Sequence, residues 1–151
     1  MTEKFYYKSP IGILEIELKN DTIQRLRVVE SCSKISERTG YFAEVVKQLD
    51  EYFAGRRKEF DIPLHPVGTD FQLQVWRALL HIPYGETRSY KEIAKMIGNE
   101  KAVRAVAHAI GANGIDILIP CHRVVGSNHS LTGFAGGLDR KEHLLKLEGH
   151  L

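Results

Sequence analysis

The segment ILIPCHRVVG, residues 117–126, places a thiol, an imidazole and a guanidinium side by side within an apolar run. A cysteine is a strong nucleophile once it loses its proton, and a neighbouring histidine can accept that proton if a carboxylate orients its ring. Consecutive residues of a regular strand point to opposite faces, so Cys121 and His122 can cooperate only in an irregular turn or through a bridging water. Pro120 directly before them favours such a turn. The segment therefore predicts a nucleophilic cysteine, a histidine base and a carboxylate elsewhere in the chain.

The same cysteine also fits a second interpretation, in which it is an inert apolar side chain. Apolar surroundings raise the pKa of a thiol and make it unreactive. The other cysteine, Cys32, lies in the polar segment ESCSK, and we expect it to be an exposed thiol without a role. A disulfide is not expected, and the cysteines and histidines lack the short paired spacings of zinc sites, so no metal site is predicted.

Composition limits the class of protein. The chain has 151 residues, 43% hydrophobic and 26% charged, with a formal net charge of +2. This composition is typical of globular proteins, and the net charge alone is too small to indicate a nucleic-acid partner. No apolar run approaches the ~20 residues of a membrane span, and the first residues do not resemble a signal peptide. We therefore expect a cytoplasmic protein with no membrane partner.

A second pattern with chemical meaning lies in EKAVRAVAHAIGA, residues 100–112. Helical spacing predicts an inward stripe of Val103, Val106, Ala107 and Ile110. The opposite face would then carry Lys101, Arg104, Ala105, His108 and Ala112. Small residues allow another backbone to approach closely and basic residues attract phosphates, so this face fits a nucleic-acid groove. It also fits an ordinary solvated helix, and the pattern alone leaves both open.

The first part of the chain predicts a sheet with a helix on it. Apolar and polar residues alternate in KFYYKSPIGILEIELKNDTIQRLRVV around two turns, which indicates three antiparallel strands. In GYFAEVVKQLDEYFAG, Phe42 to Phe53 have helical spacing that ends at Gly55, which predicts a helix covering the sheet. The aperiodic EFDIPLHPVGTD has two prolines and indicates a linker, at about residues 60–69. We predict domains at 1–62 and 63–151.

The second domain is predicted to be mostly helical. In a capping box, the side chain of the first residue accepts a hydrogen bond from a backbone N–H of the helix, and a Glu or Gln three positions later accepts one from the N–H of the first residue. Three pairs have this spacing: Thr69 with Gln72, Ser89 with Glu92, and Asp139 with Glu142. Gly98-Asn99 separates two short helical segments, which is typical of a helix-turn-helix. The fold class is therefore α+β: a small three-stranded antiparallel sheet with a covering helix, then a mostly helical domain with a helix-turn-helix.

Residues 83–149, from PYGETRSY to LLKLEG, resemble the 6-O-alkylguanine-DNA alkyltransferases without a gap, and IPCHRVVG matches the active-site motif of that family. The first 60 residues resemble the family's variable N-terminal domain only in layout. The resemblance implies a single-use DNA repair protein that binds duplex DNA through the minor groove with its helix-turn-helix. It would rotate 6-O-alkylguanine out of the stack and transfer the alkyl group irreversibly to its own cysteine. It further implies a monomer without a cofactor, and 4-O-alkylthymine is a second candidate lesion.

The resemblance also implies a role for individual residues of the active site. By position, Cys121 is the alkyl acceptor, His122 is its base through a water, and Glu148 orients the histidine. Asn113 would hold the turn that shapes the site. The substrate pocket would be formed by Pro120, Phe134, Ala135 and Gly136. Some relatives have Tyr-Ser where this chain has Phe134-Ala135, so backbone amides near Ala135 would have to contact the guanine O6.

Further residues are matched to DNA handling. Tyr90 would donate a proton to the guanine N3 and crowd a backbone phosphate, and Arg104 would enter the stack in place of the rotated base. The remaining predicted DNA contacts are Lys101, Ala105, Ala112 and Arg123. Many relatives have a proline where this chain has Glu100, which suits a helix N-terminus but is unfavourable beside phosphates.

Two other classes of protein remain as alternatives. A helix-turn-helix protein that binds DNA or lesions without chemistry would keep Tyr90 and Arg104 but has no use for a Cys-His-Glu set. A Cys-His hydrolase would need an oxyanion hole and would release product repeatedly, whereas an acceptor protein reacts once.

Overall fold

The structure is a computed structural model that describes residues 2–126 and 137–150. The chain forms two compact units. Unit 1 contains residues 1–66 and 114–116, and unit 2 contains residues 67–113 and 117–151. The predicted division at 62/63 differs from this one in its position and in the short segment 114–116, which the sequence gives no reason to assign to the first unit.

Unit 1 is built on a three-stranded antiparallel sheet in the order β1-β2-β3, as the alternating pattern predicts. Its central strand buries Leu14, Ile16 and Leu18, while Asn20 and Asp21 turn the chain with positive φ angles of 53° and 57°. Asparagine and aspartate tolerate this conformation better than most residues do. The strands are β1 Glu3–Ser9, β2 Gly12–Lys19 and β3 Thr22–Val29.

Helix α1, Gly40–Phe53, packs its apolar stripe against the sheet of unit 1. The rings of Phe5 on β1 and Phe42 on α1 stack with centroids 4.5 Å apart. Phe53, the last residue of the predicted stripe, is only half-buried. The buried apolar residues of the helix are Phe42, Val45, Val46, Leu49 and Tyr52. The predicted sheet with a helix on it, and with it the α+β class, is confirmed.

Two segments distant in sequence extend the sheet of unit 1 through single backbone bridges. The N–H of Ile23 donates to the Pro63 carbonyl at 2.9 Å, so the predicted linker runs beside β3. The N–H of Leu26 donates to the Gly114 carbonyl at 3.0 Å, and the N–H of Asp116 donates to the Leu26 carbonyl at 2.8 Å. These bonds explain why residues 114–116 belong to unit 1, since each satisfies a backbone group of β3.

Unit 2 is mostly helical over the residues that the structure describes, and Arg88 and Ser89 form a very short parallel pair of strands with Val124 and Val125. The capping boxes predicted at Thr69 and Ser89 are both present, with their side chains accepting from the N–H groups of Gln72 and Glu92. The elements in chain order are α2 Asp70–Leu79, β4 Arg88–Ser89, α3 Tyr90–Met96, α4 Val103–Gly111, the 3-10 helix Cys121–Arg123, β5 Val124–Val125 and α5 Leu138–Leu147.

Two details of the predicted helices are wrong. Helix α5 begins at Leu138 after Gly137, so Asp139 lies inside the first turn and does not cap the helix. Its carboxylate still suits the positive end of the helix. In α4 the buried apolar residues are Val106, Ala109 and Ile110, whereas Ala107 is exposed. A helix of 3.6 residues per turn that buries position 106 must bury 109 and 110 next, which turns 107 outward.

Buried side chains from α2, α3, α4 and α5 contribute to the apolar interior of unit 2. The indole N–H of Trp76 on α2 donates to the Ala109 carbonyl on α4 at 2.8 Å and fixes these two helices against each other. Gly98, with φ of 76°, provides the left-handed residue that turns the chain between α3 and α4. Across residues 2–126 and 137–150, no helix has both the length and the apolar character needed to cross a membrane.

Candidate active site

Cys121 lies at the start of the 3-10 helix, in the irregular turn that Pro120 predicts. The N–H of Cys121 donates to the Ile119 carbonyl at 2.7 Å, and the N–H of Arg123 donates to the Pro120 carbonyl at 3.0 Å. The approach to this turn is strained, because Ile117, a β-branched residue, has φ of 72°. The turn therefore breaks the strand alternation that would separate the side chains of residues 121 and 122.

Asn113 stabilises this turn from the end of α4. Its side-chain amide donates to the Ile119 carbonyl at 3.1 Å, and the side chain is buried. Ile119 also accepts from the N–H of Cys121, so its carbonyl joins the asparagine to the cysteine. The predicted role of Asn113 in holding the turn fits this geometry.

His122 and Glu148 form a buried pair. Nε2 of His122 lies 2.8 Å from Oε2 of Glu148, and both side chains are completely buried. Glu148 follows α5 directly, so the last helix delivers the carboxylate to the turn that carries the cysteine. The carboxylate that the segment PCHR requires is therefore present beside the imidazole.

Arg123 binds the same carboxylate from the other side. Its Nε donates to Oε1 of Glu148 at 2.8 Å, its Nη2 donates to Oε2 at 3.0 Å, and its Nη1 donates to the Ile82 carbonyl at 2.7 Å. The expectation that Arg123 contacts DNA is therefore corrected, since its guanidinium is buried and committed to Glu148. A bidentate arginine contact of this kind fixes the position of a carboxylate and favours its ionised form.

The charges of this cluster are set by burial and by these contacts. Burial opposes the ionisation of Glu148, but the hydrogen bonds and charges of His122 and Arg123 outweigh it and hold its pKa well below the usual range. Burial lowers the pKa of His122 below its usual value, against the opposing effect of Glu148. Near neutral pH the cluster therefore contains a carboxylate and a neutral imidazole, which is the form that can accept a proton.

The second ring nitrogen of His122 is available for that proton. Nδ1 is buried and has no hydrogen-bond partner in the part of the chain that the structure describes. Because Nε2 faces a carboxylate, the neutral ring carries its proton there, and Nδ1 is the acceptor. A buried acceptor without a protein partner is the place where a bridging water is expected, as predicted between His122 and Cys121.

The candidate DNA-binding residues lie on the helix-turn-helix of α3 and α4. The side chains of Lys101, Arg104, Ala105 and Ala112 are exposed, as the pattern predicts. Tyr90 is the first residue of α3 and is half-buried. Pro120 is buried in the turn with Cys121, while Phe134, Ala135 and Gly136 lie outside the described residues.

The sequence interpretation misses Lys141, a charged residue in the interior of unit 2. Lys141 is completely buried on α5, and its ammonium donates to the Val124 carbonyl. A signal is present in the sequence, because Lys141 has helical spacing with the buried Leu144 and Leu145 and with Glu148. A lysine at an inward position of an amphipathic helix is easily taken as surface charge.

A basic helix-turn-helix together with a buried Cys-His-Glu set defines a nucleic-acid-binding protein with a nucleophilic cysteine. Two family models match the chain. Residues 70–150 match the 6-O-methylguanine DNA methyltransferase, DNA binding domain, and residues 4–66 match the ribonuclease-like domain of the same protein. The chain belongs to the 6-O-methylguanine DNA methyltransferase family, which confirms the resemblance.

Individual relatives are similar over nearly their whole length. The methylated-DNA--protein-cysteine methyltransferase of Methanosarcina acetivorans is 50% identical over 149 residues, which cover 95% of this chain and 96% of the relative. The crystal structure of the Mycobacterium tuberculosis O6-methylguanine methyltransferase has a TM-score of 0.89 and 47% identity, covering 98% of this chain and 93% of that one. A structure of the M. tuberculosis protein in complex with DNA has a TM-score of 0.88 and 49% identity, covering 96% and 91%.

Proposed function

We propose that this protein repairs DNA by accepting the alkyl group of 6-O-alkylguanine on the sulfur of Cys121, in a single irreversible turnover. The observation that carries the proposal is the buried His122–Glu148 pair beside Cys121 in the 3-10 turn. Family membership supports it, since the curated relatives are methylated-DNA--protein-cysteine methyltransferases. The partner is double-stranded DNA, and cytoplasmic localisation is part of the same proposal because archaeal and bacterial relatives have their DNA in that compartment.

The proton of the thiol leaves first. The neutral imidazole of His122 takes it at Nδ1 through a water, and the resulting imidazolium is stabilised by Glu148, whose own charge is held by Arg123. The sulfur becomes a thiolate, the reactive form of cysteine. This arrangement assigns the three residues to separate tasks: nucleophile, base and orienting group.

The thiolate then attacks the alkyl carbon, a C–S bond forms and the bond from that carbon to O6 breaks. The electron pair of the broken bond remains on the guanine, which becomes anionic and takes a proton to restore the normal base. We propose that the Tyr90 hydroxyl donates to N3 while this negative charge develops; the restored base carries its new proton at N1, which it takes from the solvent, and the tyrosine keeps its own. A donor aimed at charge that develops only in the transition state lowers the barrier without tightening substrate binding.

The proposed DNA surface is the exposed face of α4 with the start of α3. Arg104 would enter the base stack where the damaged guanine leaves it, and Lys101 would pair with phosphate. Ala105 and Ala112 are small, so the helix can lie close to the minor groove. Rotating the base out costs a few kcal/mol, and least for a base whose pairing the alkyl group already weakens, which favours the lesion over normal guanine.

The decisive experiment is intact-mass analysis after incubation with a duplex that contains one 6-O-methylguanine. We expect a gain of one methyl group at a stoichiometry of one per protein, mapped to Cys121 by peptide analysis, and no gain with the unmodified duplex. The Cys121→Ser variant is the control for the site, and Cys32→Ser is the control for the other thiol. Binding without a mass gain would indicate a lesion-binding protein, and continued product release would indicate a hydrolase; either result refutes the proposal.

A further inference from the structure

The loop between α2 and β4, residues 80–87, lies against the buried carboxylate of the active site. Its Ile82 carbonyl accepts from Nη1 of Arg123 at 2.7 Å, and the N–H of Gly85 donates to Oε1 of Glu148 at 3.5 Å, a long contact. Gly85 has φ of 82°, and a Cβ there would lie 3.2 Å from the Glu148 carbonyl oxygen. A glycine therefore allows the loop to approach the end of α5 this closely.

Tyr84 of this loop contacts both structures that hold the carboxylate. Its hydroxyl donates to the carbonyl of Leu147 at 3.2 Å, and Leu147 is the last residue of α5, directly before Glu148. The guanidinium carbon of Arg123 lies over the Tyr84 ring, 5.8 Å from its centroid. At this distance the face of an aromatic ring attracts a guanidinium. One side chain thus contacts the backbone that carries Glu148 and the cation that binds it.

The position of Arg123 affects how Glu148 meets His122, because two donors share one oxygen. Nη2 of Arg123 lies 3.0 Å from Oε2 of Glu148, and Nε2 of His122 lies 2.8 Å from the same atom. The arginine Nε holds the other oxygen at 2.8 Å, so a displaced guanidinium would rotate the carboxylate with it. Rotation would move Oε2 away from the imidazole. The base and its orienting group therefore depend on a guanidinium that is itself kept in place.

We propose that Tyr84 is a positioning residue of the alkyl transfer: its ring supports the Arg123 guanidinium and its hydroxyl fixes the end of α5, so that Glu148 stays on the imidazole of the base. The proposal rests on the proposed acceptor role of Cys121. Tyr84 acts through the arginine and the carboxylate, and its role requires no contact with the guanine.

Loss of this support should change the pH dependence of the transfer. Burial lowers the pKa of His122, and the charged groups that act on the ring are Glu148, Arg123 and Lys141. Of these three, Glu148 is the anion that stabilises the imidazolium formed when the thiol loses its proton. A carboxylate that is turned away from the ring therefore weakens the base. This slows the transfer near neutral pH and matters less in alkaline buffer, where the thiol ionises without help.

The first test compares Tyr84→Leu, which removes the ring and the hydroxyl, with Tyr84→Phe, which restores the ring. Each variant reacts with free 6-O-benzylguanine across a pH series, and intact mass gives the rate. For Tyr84→Leu we expect a rate about two- to 30-fold lower near pH 7, the range of a cation–π contact converted into a rate, and a smaller factor in alkaline buffer. Tyr84→Phe should recover part of the loss. Tyr41→Leu, the same change at a half-buried tyrosine of unit 1, is the matched control and should follow the unsubstituted protein.

A tyrosine that only stabilises the fold would give a different result. If Tyr84→Leu lowers the rate by the same factor at every pH, if its profile equals that of the unsubstituted protein, or if Tyr84→Phe is as slow as Tyr84→Leu near pH 7, the proposal is wrong. Tyr84→Phe, with a smaller loss of the same pH dependence, decides the question if Tyr84→Leu does not fold. A failure of the proposed function is recognised separately, because the unsubstituted protein would then gain no benzyl group at all.

The second test asks whether Tyr84 acts through Glu148. Each Tyr84 substitution is combined with Glu148→Gln, and the rates with free 6-O-benzylguanine are compared near pH 7. The effects of two side chains that act through one another are not additive. We therefore expect the Tyr84 substitutions to slow the Glu148→Gln protein by a much smaller factor than they slow the unsubstituted protein. The same factor in both backgrounds overturns the proposal.

Discussion

At the scale of single residues, the site buries an ionised carboxylate, which is unfavourable, and compensates its charge with hydrogen bonds and an opposite charge. Glu148 is ionised in the interior because Arg123 contacts both of its oxygens and His122 lies on one of them. The imidazole stays neutral because burial disfavours its charged form. The net result is a base that is ready to accept a proton beside a thiol that has to lose one.

The nucleophile gives the first prediction. Cys121→Ser should abolish alkyl transfer, because a serine hydroxyl is a far weaker nucleophile near neutral pH, while binding to lesion-containing duplex should persist since the basic face lies on α4. Transfer is followed by intact mass, and binding is followed by fluorescence anisotropy with a labelled duplex. Repair by the serine variant at an unchanged rate would show that another residue is the acceptor.

The orienting carboxylate gives a second prediction. Glu148→Gln removes the anion that fixes the His122 ring and leaves the Arg123 guanidinium buried without its partner. We expect slower transfer near neutral pH, a smaller deficit in alkaline buffer where the thiol ionises without help, and a loss of roughly 3–5 kcal/mol in unfolding free energy. Rates with free 6-O-benzylguanine and denaturant unfolding measure both. A deficit that is independent of pH would point to misfolding.

The same two groups predict how stability depends on pH. Glu148 has a lowered pKa in the folded state, so its contribution is present above its usual value and is lost as the pH falls. His122 also has a lowered pKa, so the unfolded chain takes up its proton first, which again favours unfolding as the pH falls through about 6.5. We expect the melting temperature to decrease steadily from pH 7 to pH 4. In Glu148→Gln the decrease below pH 5 should be smaller.

At the scale of elements, α4 combines an apolar side with an exposed basic side. Val106, Ala109 and Ile110 hold it against the other helices of unit 2, and Trp76 ties it to α2. Arg104 and its small neighbours are thereby presented on a rigid support. A stacking replacement needs such a support, because an arginine on an unstructured segment would also lose backbone conformational entropy on entering the duplex.

This arrangement predicts that Arg104 matters for DNA and not for the chemistry. Arg104→Ala should slow repair of 6-O-methylguanine in duplex DNA by about fivefold to 150-fold, since a lost base-stacking contact is worth about 1–3 kcal/mol. Its rate with free 6-O-benzylguanine should change little, because a free base needs no replacement in a stack. Arg56→Ala, which removes an exposed arginine from unit 1, is the matched control. Equal losses on both substrates would exclude the proposed role of Arg104.

Elements with local signals could be predicted from the sequence, and elements held by distant contacts could not. The capping boxes at Thr69 and Ser89 identify the starts of α2 and α3 because the capping atoms are three residues apart. The two-residue pair β4 and β5 has no period to detect, and its existence depends on residues 88 and 124 meeting in the fold. For the same reason the burial of Arg123 could not be predicted, because its partners Glu148 and the Ile82 carbonyl lie far away in the chain.

At the scale of the whole molecule, the chain leaves unit 2 after Asn113 and returns to it at Ile117. The intervening residues 114–116 pair with β3 of unit 1. Within unit 1, backbone bonds to β3 hold residues 114–116, and within unit 2 the Asn113 side chain holds the active-site turn through the Ile119 carbonyl. Sequence patterns could not indicate this, because three residues carry no periodicity.

The state of Cys121 should affect the stability of the whole molecule. Cys121 is 4% exposed and His122 is completely buried, so the turn has little room for added carbon. Enlarging a side chain in a close-packed site displaces its neighbours at a cost of about 1–3 kcal/mol. The thioether also removes the negative charge that would balance a protonated His122. Packing and electrostatics therefore act in the same direction after transfer.

We accordingly expect the alkylated protein to melt about 3–12 °C below the unmodified protein, with a benzyl group lowering the melting temperature more than a methyl group. Thermal unfolding of the unmodified, methylated and benzylated forms, each verified by intact mass, measures the effect. Because Asn113 at the end of α4 bonds to the turn that carries Cys121, the same strain should weaken DNA binding by the alkylated form. Equal or higher melting temperatures after alkylation would show that the turn accommodates the group without strain, and the coupling between transfer and DNA release would then have to be abandoned.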